Sequence, residues 1–170
     1  MAILEMIRNS SDNVYLHRDF HNILNLGIDY LYENYGAAAV VDYLRRFAVH
    51  FYAPLIEEIR KRSFDAVVEA FEKTYRDEDA SDAVSFERSG NELFVRIERC
   101  PAVEHLRRSE VMPSRLFALT SSVVWETICR EAKLGYAMLT YDEADGKATH
   151  LFFLLESEFL NHTQMGKETL

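Results

Sequence analysis

The stretch AVSFERSGNELFVRIERC, residues 83–100, decides the fold. Val84 and Phe86 alternate with polar neighbours before the turn SGN, and Leu93, Val95 and Ile97 alternate after it. A period of two marks half-buried strands, so the segment reads as a β-hairpin. Pro101 follows at once, where the first helical turn tolerates proline, and CPAVEHLRR begins a short helix directly off the second strand.

Reading outward from this hairpin, the period changes on both sides. Toward the N-terminus, Phe20, Ile23, Leu24, Leu26, Gly27, Ile28 and Leu31 fit a helix from about His17 to Asn34 with a broad buried face, capped by Asp19 or an earlier polar residue. Gly36 breaks it. AAAVVDYLRRFAVHFYAPLIEEIRKR starts a second long helix, in which Pro54 forces a kink or stop near Ala53. Ser63 is placed to cap a third, SFDAVVEAFEKTYRDE, which dissolves into the acidic stretch DEDASDA. Toward the C-terminus, MPSRLFALTSSVVWETICREAK reads as a helix capped at Ser114, and LGYAMLTYDEADGKATHLFFLL as a second hairpin around DEADGK.

The expected architecture is therefore α+β: N-terminal helices packed with an antiparallel sheet built from two hairpins, with helices between the hairpins. Pairing across the hairpins would make one four-stranded sheet. The 170 residues suit a single domain, with an ordered core over about 15–155 and a frayed tail over 156–170.

Apolar residues make up 48% and charged residues 28% of the chain, the profile of an ordinary globular protein. The net charge is −9 and the basic residues are interleaved with acids, which argues against nucleic acid as a partner. No apolar run is long enough to span a bilayer. MAILEMIRNSS carries an acid and lacks a long hydrophobic segment with a small-residue cleavage site, so the expected location is the cytoplasm, with Cys100 and Cys129 as thiols.

The candidate chemistry lies in two segments. In YLHRDFHN, His17 and His21 stand four residues apart around Asp19, so a helix puts both on one face, within reach of one metal ion. CPAVEH offers Cys100, Glu104 and His105 at a strand-to-helix junction, whose unpaired backbone N–H groups would lower the pKa of a thiol held there. Cys100 is thus a ligand or a nucleophile. The plainer alternatives are half-exposed histidines at a helix start, Cys100 as a small buried hydrophobe, and His105 on a solvated face. Cys129 and His50 read as packing residues, and His162 falls in the tail. Strand alternation puts His150 with Phe152 and Leu154, on the lining of a pocket or hydrogen-bonded in the core. Tyr30, Tyr43, Phe47, Phe51, Tyr52 and Trp125 are either core or cavity lining.

From HRDFHNILNLGIDYLYENYG through FYAPLIEEIRKR and LFVRIERCPAVEHL to YDEADGKATHLFFLL, roughly Tyr15 to Leu155, the chain resembles the L-2-amino-thiazoline-4-carboxylic acid hydrolase-like proteins. That group resembles in turn the 4-vinyl reductase type of small-molecule-binding domain, related in fold to haem nitric-oxide-binding domains and vesicle-tethering subunits. The resemblance implies hydrolytic opening of a small cyclic amidine-like ring bearing a carboxylate. It further implies a divalent ion, Zn or Mn, held by some of His17, His21, Cys100 and His105 and activating water. Glu104 or Asp19 would carry the proton, with Cys100 in the catalytic set, and Arg18 would hold the substrate carboxylate. Relatives often place a cysteine in the closing strand, where this chain has His150 facing the ligand. The alternatives are a noncatalytic carrier or sensor of a small molecule or of haem or another tetrapyrrole, and a homodimeric interaction subunit.

Overall fold

The computed structural model of the chain describes residues 13–155, with side chains from residue 20 onward. Gly90, at φ +58°, and Asn91 turn the chain between β1 (Val84–Ser89) and β2 (Glu92–Ile97). A positive φ at the first central position of a two-residue turn matches the right-handed twist of the strands it joins. A second hairpin pairs β3 (Leu134–Tyr141) with β4 (Ala148–Leu154). The hairpins meet through β2 and β4, giving one antiparallel sheet of order β1-β2-β4-β3.

Register assigns the two faces. Val84 and Phe86, Leu93, Val95 and Ile97, and Ala148, His150 and Phe152 share the inner face, which the helices cover. On β3, straight alternation from Tyr136 and Met138 would point Tyr141 outward. A bulge between Met138 and Thr140 adds one residue and places Tyr141 opposite Ala148, on the inner side.

Six helices complete the described chain: α1 (Asn13–Tyr35), α2 (Ala37–Phe51), α3 (Ala53–Arg62), α4 (Phe64–Asp77), α5 (Pro101–Arg108) and α6 (Leu119–Ala132). The mixed architecture read from the sequence is the one observed. α6 packs on α2, α3 and β3, α1 on α2 and α5, and α4 on α3 and β1. Val40, Leu44, Ala48, Val67, Val95, Ile128 and Phe152 fill the space between helices and sheet and are essentially inaccessible. Each of the larger of these side chains contributes about 1.5–3 kcal/mol by leaving water.

Pro54 does stop the second helical segment. α2 ends at Phe51 and α3 starts at Ala53, with the proline in its first turn, where the missing N–H costs nothing. Other boundaries differ from expectation. α1 begins at Asn13, so Asp19 lies within the helix rather than capping it. Ser63 occupies the N-cap position of α4 at φ 51°, but its hydroxyl makes no capping bond, because that backbone does not aim it at the helix. Ser114 precedes a tight turn over 115–118, its hydroxyl accepting from the Leu116 N–H, and α6 follows only at Leu119. The buried stripe of α1 is narrower than its apolar content suggests. Ile28 is buried, whereas Ile23 and Leu26 are exposed, since the helix packs chiefly on α2 and α5 and these two side chains point away from them. His50, Tyr30, Tyr43 and Phe51 are likewise exposed. Cys100 and Cys129 are free thiols, Cys129 in the core. Among the described residues no helix is long and apolar enough to cross a membrane. The tail over 156–170, with His162, lies outside the described residues.

Candidate functional site

Between the inner face of the sheet and the helices lies a cavity of about 210 Å³. α4 and β4 run along it and give it two ends. Phe71 on α4 neighbours His150 on β4, with ring centroids 5.8 Å apart. One helical turn onward stands Tyr75, and two residues back along the strand, about 7 Å, stands Ala148. Beyond them Glu78, His21 and Cys100 line the other end.

His21 and Glu78 meet there. The His21 Nε2 lies 2.9 Å from a Glu78 carboxylate oxygen, and the two side chains are 15% and 8% exposed. A carboxylate only accepts, so Nε2 carries the proton, and in the neutral ring Nδ1 is the proton-accepting nitrogen. Asn25, one turn further along α1, fixes the helix in place. Its amide donates to the Met112 carbonyl at 3.1 Å and accepts from the Ser114 N–H at 2.7 Å.

Cys100 caps the N-terminus of α5 with an extended backbone. Its N–H donates to the Asp145 carbonyl at 2.9 Å, joining the β2–α5 junction to the β3–β4 turn. In that turn Gly146, at φ +69°, lies so close that an added Cβ would stand 2.4 Å from Cys100 Cβ. Burial pushes the thiol pKa up, against the opposing pull of the Val103 and Ala102 N–H groups. The sequence-based expectation of a lowered pKa is thus reversed. Helix-end dipoles do act on the sulfur, but desolvation outweighs them. Burial first, and then Cys100 and Glu78, raise the Tyr75 phenol, while Tyr141 is pushed up to about 12, chiefly by burial.

The other end is aromatic. Trp125 stacks on Phe71 at 4.7 Å, and Phe152 meets both edge-on. His150 is 1% exposed, with Nδ1 2.8 Å from the Tyr136 hydroxyl. Burial lowers its pKa to about 4, so the ring is neutral at neutral pH. Among the described residues no lysine or arginine lines the cavity.

Of the residues singled out in the sequence, His21, Cys100 and His150 line this one cavity, as do Phe47, Tyr52 and Trp125. Glu104 does not. Its carboxylate faces Arg99 and Arg108, at 3.6 and 3.7 Å. His105 is half-buried beside the cavity rather than solvated, its ring centroid 6.2 Å from that of His21 and its Nε2 3.3 Å from the Asn22 amide nitrogen. The side chains of His17, Arg18 and Asp19 lie outside the described residues.

Glu78, in the acidic stretch DEDASDA, is a site residue that the sequence reading does not single out. The signal for it was available: Phe71, Tyr75 and Glu78 follow the i, i+4, i+7 rule, so the C-cap residue Glu78 continues the apolar face of α4. Among the described residues, no three His, Cys, Asp or Glu side chains converge to hold a metal ion. His21 and His105 supply two imidazoles, while the thiol of half-buried Cys100 has its pKa raised by desolvation, which disfavours the thiolate a metal would bind.

No protein-family model and no curated protein sequence matches the chain.

Proposed function

We propose that the protein takes a small single-ring molecule into this cavity and hydrolyses a carbon–nitrogen bond of it, a cyclic amidine-like compound being the substrate class. The observation that carries the reading is the convergence of Cys100, from the β2–α5 junction, and the Glu78-held His21, from α1, on one largely apolar cavity. The resemblance to the hydrolase-like family leads to the same chemistry.

In this reading, His21 accepts a proton from water as its oxygen bonds to the amidine carbon, and Glu78 stabilises the imidazolium that forms. The imidazolium returns that proton to the ring nitrogen of the tetrahedral adduct. As the carbon–nitrogen bond breaks, the adduct's hydroxyl forms the carbonyl and gives up its proton to the departing nitrogen, which leaves as an amine. Cys100 lies beside the reacting carbon, and Tyr75 and Tyr141 offer neutral hydroxyls. No step is assigned to a metal. A ligand set completed by His17 is a separate proposal, which metal content of the purified protein tests.

A second reading is a noncatalytic small-molecule carrier or sensor. The largely apolar lining of the cavity favours it. Pockets for drug-sized ligands run to about 300–1,000 Å³, so a cavity near 210 Å³ favours one ring over a tetrapyrrole in either reading.

The experiment is a panel of cyclic amidines followed by NMR for ring opening, with metal content measured on the same preparation. Turnover lost in both His21→Ala and Glu78→Gln supports the hydrolase. Saturable binding without turnover supports the carrier, and no binding of any ring compound overturns both.

A further inference from the structure

Three buried side-chain polar atoms lack a hydrogen-bond partner among the described residues: Asn22 Oδ1, Ser63 Oγ and His150 Nε2. Of these residues His150 alone lines the cavity. Buried polar groups in folded proteins are almost always paired, and in low-dielectric surroundings an unmet one is costly. An orphaned nitrogen on a cavity wall therefore calls for a partner inside the cavity.

The opposite nitrogen sets which kind of partner. Nδ1 lies 2.8 Å from the Tyr136 hydroxyl. Tyr136 is half-buried; desolvation raises its phenol pKa, so the hydroxyl stays protonated, and among the described residues it meets no acceptor but Nδ1. Tyr136 O–H therefore donates to Nδ1. With the imidazole kept neutral by burial, Nε2 must then carry the ring hydrogen. Around it stand the flat rings of Phe71 and Trp125, with no described cation on the lining to balance an anion.

We propose that this end of the cavity recognises an uncharged hydrogen-bond acceptor on the ligand's ring, a carbonyl oxygen or an imine-type nitrogen, through the Nε2–H of His150. The inference rests on the reading of the cavity as a pocket for a small ring. It adds which edge of the ring enters first: the acceptor goes in toward the sheet, and any carboxylate stays out of this end. A ring bearing only a donor is rejected, since two N–H groups would face each other.

The test uses the full chain and three single-ring probes, pyridine, benzene and pyrrole, titrated by ligand-observed NMR at a pH where pyridine is neutral. Pyridine is expected to bind roughly tenfold more tightly than benzene, as one buried hydrogen bond allows, and pyrrole no more tightly than benzene. His150→Phe is expected to erase the difference while benzene still binds. The 15N spectrum of histidine-labelled protein is expected to place the His150 hydrogen on Nε2, and Tyr136→Phe to remove that preference. Equal affinity for pyridine and benzene, a preference for pyrrole, or a hydrogen on Nδ1 each overturns the inference while leaving the ring pocket standing. Binding of none of the probes overturns the pocket reading and this inference with it. Should His150→Phe fail to fold, the ranking of probes and the tautomer in the unaltered protein decide.

Discussion

His21 on α1 and Glu78 just beyond α4 are joined at 2.9 Å across 57 positions of sequence, both largely shielded from solvent. A shielded carboxylate holding an imidazole fixes the ring's orientation and tautomer together. Glu78→Gln keeps the shape and removes the charge. It is expected to cost about 1–2 kcal/mol of stability and to lower kcat on any turned-over substrate by about a hundredfold or more, with KM much less affected. Chemical denaturation and steady-state kinetics on the same variant check both.

Gly146 and Cys100 are in contact at a point where no side chain fits. Gly146→Ala adds a Cβ 2.4 Å from that of Cys100, at a backbone angle that disfavours any side chain. The junction must shift, and stability is expected to fall by about 1–3 kcal/mol. Cys100 should become more open to iodoacetamide. Thermal unfolding gives the first quantity and the labelling rate the second; an unchanged rate would mean that the turn does not hold the thiol.

The thiol itself gives a pH test. Burial sets the Cys100 pKa above its ordinary 9.0. In a Cys129→Ala background, the pH profile of Cys100 alkylation is expected to have its midpoint above 9.0, with little reaction at neutral pH. A midpoint below the ordinary value would show that the helix-end N–H groups win over desolvation, and would strengthen the case for a nucleophile.

His150 links stability to acid. Its pKa is about 4 in the folded chain against 6.5 in the unfolded one, so between these values the unfolded state binds the extra proton. Stability is fully present above pH 6.5 and declines as the pH falls toward 4, by roughly 3 kcal/mol in total. His150→Gln removes the titrating group and should flatten that part of the profile. Denaturation midpoints of both proteins across the range test it, and parallel curves would assign the acid sensitivity to other groups.

The fold was legible wherever local periodicity and turn chemistry agree. The alternation around Gly90, the proline at position 54 and the proline at 101 each mark an element boundary by sterics alone. Pairing of β2 with β4 was only a guess, because it joins strands separated by two helices and no local signal specifies it. The bulge that turns Tyr141 inward was illegible for the same reason, since it is a property of the pairing. In the candidate site, helical spacing and the strand-to-helix junction drew attention to His21 and Cys100. Glu104 belonged to the same motif, yet Arg99 and Arg108 draw its carboxylate away from the cavity. Ile23 and Leu26 were expected inside because apolar content says how much surface prefers burial, not how much a neighbouring element will cover.

The strand order has a consequence for folding. β4 is the final strand described, yet it sits inside the sheet with partners on both sides. Without β4 the sheet is reduced to the β1–β2 hairpin and a separate β3 strand, and the wall bearing His150 does not exist. Closing the cavity therefore needs pairing between parts far apart in the chain, the kind of topology that slows folding, and β2 has an unpaired edge until β4 docks.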